Sequence, residues 1–288
     1  MSNIKIIPLG GVRENARNMY VVEVESSIFV LDCGLAYPEG TLYGIDAVIP
    51  DFSYLEEHKE RIAGVFLSHG HEDAIGALPY FLDKFKVPVF GSELTISLAK
   101  WYVDESGLDI NFNDYHAIDE EVEIDFDGTI VRFFRTTHTI PDSMGIAVKT
   151  NEGNIVYTGN FKFDQTASGN YQTDFAQISE IGREGVLALL SDSMEAESQE
   201  ENFSESEIQE EVLKTFQETK SRIIVLAVAS NILRIQQVLN AAHRFNRKVF
   251  ITGKNVEAIL EIAMKLDKLT LPDEDLFVPI DKDRKSVV

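Results

Sequence analysis

The sequence predicts an α/β fold in two parts, a sandwich of two sheets flanked by helices over residues 1–195 and a parallel α/β segment over residues 196–288. Three observations lead there. Short apolar runs separated by turn signals fill the first part, and several of them pair as hairpins. Polar, chemistry-bearing residues recur where those runs end, which is how a sandwich builds a site at one edge between its sheets. Beyond about residue 195, apolar runs alternate at short intervals with helix-spaced stripes, the pattern of a parallel sheet.

The elements follow in order. Ile4–Leu9 is an apolar strand ending at Gly10-Gly11, where the backbone can turn sharply, and residues 12–18 are polar and loop-like. Tyr20–Glu25 and Ile28–Leu31 form a hairpin around Ser26-Ser27 that delivers Asp32-Cys33-Gly34 at its end. Residues 36–54, with prolines and several aromatics, read as an irregular loop over the site. Val65–Ser68 is a strand. Ile75, Leu78, Phe81 and Leu82 then recur at helical spacing and predict one helix of about ten residues, whose N-terminus favours anionic groups. Val87–Phe90 is a strand, and Glu93–Ser106 a helix ended by Gly107. Val122–Phe126 and Thr129–Phe134 flank an Asp127-Gly128 turn. Ile146–Lys149 and Ile155–Tyr157 continue the strand rhythm, and Val186–Leu190 delivers Ser191-Asp192-Ser193. In the second part Ile223–Val228 reads as a buried strand and Val249–Ile251 as another. Ile232, Ile235, Leu239 and Ala242 form one helical stripe, and Ile259, Ile262 and Leu266 a second. Phe277-Val278-Pro279-Ile280 leads into a charged tail.

The chemistry concentrates in Ser68-His69-Gly70-His71-Glu72-Asp73-Ala74, directly after the apolar Val65-Phe66-Leu67. Histidines at i and i+2, with a carboxylate two further on, bring three metal-capable groups into one space when the loop folds away from a strand end. Imidazole with carboxylate suits zinc or manganese better than calcium or magnesium. A lone histidine on a turn is ordinarily just solvated; the H-x-H-x-D spacing at a strand-to-helix junction favours a metal. His58, His116 and His243 match no motif and read as surface or core residues.

The loop resembles the H-x-H-x-D-H signature of the metallo-β-lactamase fold, in its nucleic-acid-processing branch. More narrowly, the chain resembles the bacterial ribonuclease J family. The likeness runs through Leu9-Gly10-Gly11-Val12, Asn18-Met19-Tyr20, Gly44-Ile45-Asp46 and Ser68 to Pro79. It resumes at Thr158-Gly159-Asn160-Phe161-Lys162-Phe163-Asp164, Ser191-Asp192-Ser193 and Ala229-Ser230-Asn231, so it covers nearly the full length. Two positions depart from the family. Its final signature histidine is Ala74 here, and the aspartate of its T-G-D-F-K-F-D string is Asn160. That pattern is similar to the second, weakly active paralogue that some bacteria carry beside an active one. The resemblance implies a metallo-β-lactamase αββα sandwich over 1–195 and part of an inserted β-CASP domain over 196–288. Because the family continues further, the chain is expected to be an N-terminal fragment lacking the family's late histidines.

Composition bounds the rest. The chain's 288 residues are 44% hydrophobic and 26% charged, proportions of a soluble globular protein with room for one large or two ordinary domains. A single cysteine, Cys33, excludes an internal disulfide and fits a reducing compartment. The start has no signal-peptide core and no stretch spans a bilayer, so a cytoplasmic location without membrane contact is expected. The net charge of −22 argues against a general nucleic-acid coat protein. The charge is uneven, however. Asp192–Glu211 holds nine acidic residues and no Lys or Arg, whereas Val212–Lys254 holds eight basic residues against Glu218, a local +7. Two readings of that basic stretch stand: an RNA-facing surface with Lys214, Lys220, Arg222, Arg234 and Lys254 as candidates, or solvated helix faces.

For the site, the resemblance implies two metal ions that activate a shared water for attack on a phosphodiester phosphorus. The first would use His69, His71 and His138, since H-[ST]-I-P-D-S is intact at His138-Thr139-Ile140-Pro141-Asp142-Ser143. The second would use Asp73 (also the catalytic candidate), the position that is Ala74, a bridging residue at 160 and a late histidine. Asp32 is either a turn former before Gly34 or, as in the family, support for the metal loop. Ala74 removes a nitrogen ligand and Asn160 offers only a neutral oxygen, so one zinc or manganese ion is expected rather than two. Losing each electrostatic contact of the second ion costs on the order of 3 kcal/mol, about a hundredfold in rate. Three functions compete. The first is a ribonuclease J-type protein, 5′-to-3′ exonucleolytic with endonuclease activity left open, acting in mRNA decay and rRNA maturation on 5′-monophosphorylated single strands. It would have weak intrinsic activity and work with an active paralogue and the RNA-degradation machinery, as a homodimer or heterotetramer at full length. The second is a small-molecule metallohydrolase, against which the β-CASP-like half and the basic stretch speak. The third is a non-catalytic RNA-binding or scaffolding subunit, which Ala74 and Asn160 favour.

Overall fold

The computed structural model describes residues 3–38, 43–198, 203–253 and 255–278. Contacts divide the chain into two compact units, the first Met1–His138, Asp142–Lys162 and Thr173–Glu197, the second Thr139–Pro141, Phe163–Gln172 and Ser198–Val288.

The first unit opens with an antiparallel meander of β1 (Ile4–Gly10), β2 (Met19–Val24) and β3 (Ser27–Leu31), with Val24 opposite Ser27 at the hairpin. After α1 (Ser53–Glu57), β4 (Ile62–Phe66) adds parallel to β3. The crossover through α2 (Glu72–Ile75) and α3 (Leu78–Lys84) brings in β5 (Val89–Gly91), and α4 (Glu93–Glu105) brings in β6 (Tyr115–Ala117), both parallel. The sheet order is β1 to β6 in sequence. The second sheet follows the order β11-β10-β9-β8-β7, from β7 (Glu123–Phe126), β8 (Thr129–Arg135), β9 (Met144–Thr150), β10 (Gly153–Tyr157) and β11 (Val186–Leu190). Only β11 pairs in parallel, reached through α5 (Phe175–Glu184).

The two sheets bury their facing sides against each other. Phe29, Leu31, Phe66 and Phe90 of the first meet Val131, Phe133, Ile146, Val148 and Ile155 of the second. Strand alternation decides which face each residue serves: Val131 and Phe133 of β8 point inward, while Phe134 packs on the outer face with Ile181 of α5. On the outer side of the first sheet α4 packs against β5 and β6. Phe66 anchors the centre, stacked on Phe90 at 5.0 Å and met edge-on by Phe126 at 5.8 Å. The result is the predicted αββα sandwich.

One charged group inside this unit makes a sharp expectation. Glu23 is 2% exposed and accepts from Lys5 at 3.1 Å, Arg61 at 2.8 Å and the Tyr54 hydroxyl. Burial pushes its carboxyl upward, but Arg61, Tyr54 and Lys5 outweigh that and hold it at about 2, below the ordinary 4.5. A depressed pKa stabilises the fold above the ordinary value and that stability is lost as pH falls toward 2. Glu23→Gln is therefore expected to lower stability at pH 7 by about 1–3 kcal/mol. It should also flatten the acid-unfolding curve below pH 4.5, as urea melts at several pH values would show.

In the second unit α6 (Glu205–Glu218), α7 (Ile232–Arg244) and α8 (Val256–Lys265) are the α-helices among the described residues. The stripes expected on α7 and α8 are borne out, with Ile232, Leu239, Ala242 and Ile259 buried. Asp164 holds the start of α6, accepting from the Glu205 amide at 2.7 Å and the Thr166 amide at 2.8 Å.

The structure corrects three expectations. The single helix after His71 is two, α2 and α3, because the carbonyls that would continue it are taken elsewhere. Asp73 O accepts from Asn18 N and Ala74 O from Cys33 N, while Pro79 has no amide to donate. Ile223–Val228 is not a buried strand: Ile224 is 81% and Leu226 94% exposed, and the run pairs with no strand among the described residues. A strand exists only in a ladder, and apolar composition alone does not supply one. Val249–Ile251 likewise forms only a parallel bridge, Val249 to Phe277. The sequence reading also missed α5 and α6, although Ser204 and Glu207 form a full capping box and Asp174 caps α5.

Candidate metal centre

The site grows from the ends of β3, β4, β8 and β10. β3 ends at Asp32, which takes a left-handed backbone (φ 60°) and is wholly buried. Its carboxylate accepts from the Ser68 amide, the Ser68 hydroxyl and the Tyr157 hydroxyl, each at 2.7 Å. Burial pushes its pKa up to about 6, against the pull of His69 and of those hydrogen bonds. Asp32 therefore fixes Ser68, and Ser68 Oγ lies 2.8 Å from His69 Nδ1. With its own proton given to Asp32, the hydroxyl accepts from Nδ1–H, which leaves Nε2 as the lone-pair nitrogen of His69.

The loop from Ser68 to Ala74 is stitched to the chain beyond β3. Cys33 N donates to Ala74 O at 2.7 Å, Leu35 N to Glu72 O at 3.0 Å and Asn18 N to Asp73 O at 2.9 Å. The approach is so close that a Cβ on Gly34 would lie 1.6 Å from Asp73 O, a position only glycine can fill. Ala74 is wholly buried in this packing. His138 enters from the end of β8, where Thr137 N donates to Thr173 Oγ1 and Lys162 N to Thr137 O.

These loops bring His69, His71 and His138 together. Their ring centroids are 4.9–5.0 Å apart, the planes cross at 81–86°, and one ligand nitrogen from each lies within 4.8 Å of the others. His69 Nε2 is buried with no hydrogen-bond partner and stands 3.6 Å from Asp73 Oδ1, too far for a hydrogen bond. Burial pushes His71 down to about 3 and His138 well below the ordinary range, helped by the positive field of neighbouring histidines. Burial acts the same way on His69, but Asp73, Asp32 and Asp192 overcome it and raise its pKa. His71 and His138 are thus held as neutral imidazoles while the carboxylates favour positive charge at His69, and this set of three nitrogens beside Asp73 fits a divalent metal ion.

Asp73 faces the cluster from α2. Burial would raise its pKa, but His69, His71 and His138 hold it well below the usual carboxylate range. Its Oδ2 accepts from Asn18 Nδ2 and from Asn160 Nδ2, each at 2.9 Å. A polar cleft of about 410 Å³ opens beside Asn18 and Asn160, bounded further by Tyr20, Tyr157, Ser191 and Asp192. Asn18, Ser68 and Tyr157 were not singled out from sequence; Asn18 was visible only inside the string Asn18-Met19-Tyr20.

The other candidates lie in the second unit. Lys214 is exposed on α6, 3.5 Å from Glu211, and Lys220 and Arg222 are exposed just beyond it. Arg234 is engaged internally, bonding Gln237 Oε1 at 2.5 Å and standing 3.6 Å from the buried Glu205. Its first duty is packing. Lys254 lies outside the described residues. His58 is half-buried and stacks on Tyr54, and His116 and His243 are exposed.

Residues 12–180 match the metallo-beta-lactamase superfamily. The chain belongs to the metallo-β-lactamase superfamily. Within it, residues 220–285 match the ribonuclease J β-CASP domain, so the resemblance to the ribonuclease J family is borne out in both halves. A protein named Ribonuclease J 2 of Streptococcus pyogenes is 52% identical over 278 residues. Proteins of that name from Staphylococcus saprophyticus and Staphylococcus aureus are 48% and 47% identical. The alignments cover 96–97% of this chain but 50% of those proteins, so the chain spans about half the length of the curated relatives it matches. A crystal structure of a protein of unknown function from Enterococcus faecalis shares the fold of this metallo-β-lactamase chain. It has a TM-score of 0.64 at 12% identity, covering 98% of this chain and 74% of that one. Among the described residues no helix is long and apolar enough to cross a membrane.

Proposed function

We propose that this chain is part of a ribonuclease J-type RNA-processing protein whose own hydrolytic activity is weak. The observation that carries the reading is the cluster of His69, His71 and His138 facing Asp73, in a chain of the metallo-β-lactamase superfamily with a ribonuclease J β-CASP match. His69, His71 and His138 would hold one zinc or manganese ion, which when bound supplies a Lewis acid and an activated water. Asp32, through Ser68, keeps His69 in the tautomer that offers Nε2. Asp73 stays ionised beside the cluster and can orient a water there as a hydrogen-bond acceptor. A second ion is not expected, because Ala74 brings no donor and the Asn160 amide is turned toward Asp73.

The proposed substrate is a 5′-monophosphorylated single-stranded RNA, degraded 5′-to-3′, with an active paralogue as working partner and the cytoplasm as its compartment. Residues 1–195 are proposed as the metallo-β-lactamase domain and 196–288 as β-CASP, with Lys214, Lys220 and Arg222 contributing phosphate contacts. A second reading, a non-catalytic RNA-binding subunit, draws its support from Ala74 and Asn160.

Binding and turnover of a labelled 5′-monophosphorylated RNA test both. Affinity that falls steeply with salt is expected, with slow hydrolysis stimulated by manganese. Binding without any metal-dependent product would leave the scaffolding reading. Absence of RNA binding at low salt would sink both.

A further inference from the structure

The second-ion position of the site carries hydrogen-bond donors instead of ligands. Asp73 Oδ2 accepts from Asn18 Nδ2 and Asn160 Nδ2 at 2.9 Å each, joining three segments 55 and 87 residues apart in sequence. An ionised carboxylate only accepts, so both amides must turn their N–H groups to it and their oxygens away. Asn18 is itself fixed at both backbone ends, its N–H on Asp73 O and its carbonyl on Gly34 N, each at 2.9 Å. The opposite oxygen of Asp73, Oδ1, is left aimed at His69 Nε2, 3.6 Å away.

We propose that Asn18 and Asn160 form an amide clamp that does for Asp73 what a second cation does between carboxylates. They satisfy its charge, fix its rotamer and keep its free oxygen on the histidine cluster. The clamp rests on the one-ion reading above and gives Asn160 a positive role in place of a lost one. An aspartate at 160 in this setting would put two carboxylates within hydrogen-bonding distance of each other with no cation between them. Like charges at that separation repel strongly in a buried site. The carboxamide at 160 therefore lets the loop fold in its site-forming conformation with a single ion bound. Asn18 and Asn160 are positioning residues, because they act on the histidine site through Asp73.

The test compares the parent chain with Asn160→Asp, Asn18→Asp and the uncharged Asn160→Leu at pH 7.5, each with EDTA and with excess zinc. Melting temperature and bound zinc per chain are read together. In EDTA all three variants are expected to melt about 5 °C below the parent. Zinc should recover most of that loss, beyond the parent's own gain, in the two aspartate variants and not in Asn160→Leu. The aspartate variants should also bind more zinc per chain than the parent. An unchanged melting temperature in EDTA would overturn the clamp, and so would a loss that zinc restores in none of the variants. If the parent itself binds no zinc, the histidine-site reading fails, while the comparison in EDTA still decides whether the amides hold Asp73.

Discussion

His71→Ala is expected to weaken zinc binding by more than about 100-fold, since even outer-shell partners of a metal site are worth 10–100-fold. His71, like His138, is little compromised by protons: burial and the His69 charge hold its pKa at about 3, so it is neutral at ordinary pH. His69 behaves differently. Its raised pKa means that a proton competes with the ion, and the ion must displace it. In the parent, zinc affinity should therefore fall as pH drops through the His69 titration, by up to one proton per ion bound. Competition with a chromophoric chelator at several pH values measures both quantities. A stabilising response to zinc follows the same logic, about 2.7 kcal/mol at a hundred times Kd, and should vanish in His71→Ala. Tight zinc binding retained by that variant would remove the three-histidine site.

What the sequence disclosed and what it hid divide along physical lines. His69, His71, Asp73 and His138 were legible because His138 follows a strand end and the other three sit on the short strand-to-helix junction after β4, and such junctions follow from local pattern. The same local logic supplied the strands of the sandwich except the edge strand β6, and the stripes of α7 and α8. It failed where long-range backbone pairing decides. The break between α2 and α3 depends on Asn18 and Cys33 taking carbonyls of the loop, which no helical period foretells. Ile223–Val228 has strand composition but no ladder among the described residues, and composition cannot report a partner. Asn160 was read as a missing ligand, since sequence gives the residue but not the direction of its amide. Its bond to Asp73 needs three segments placed at once.

Restoring both departures, Ala74→His with Asn160→Asp, is expected to raise bound zinc from near one toward two ions per chain. RNA hydrolysis should rise by about a hundredfold or more, the worth of one recovered electrostatic contact in the transition state. The two changes depend on each other. Asn160→Asp alone lets a further ion sit between two carboxylates but holds it weakly, because it supplies no new nitrogen donor. Ala74→His alone adds a donor but leaves the Asn160 amide turned toward Asp73. Both also meet resistance from the fold. Ala74 is wholly buried, so an imidazole there forces rearrangement worth about 1–3 kcal/mol. The double variant should thus be less stable than the parent in EDTA and approach it only when loaded with metal. Two ions already bound to the parent would end the one-ion reading. Two ions in the double variant without faster hydrolysis would place the limit on rate elsewhere than in the second cation, and would favour the RNA-binding reading over the catalytic one.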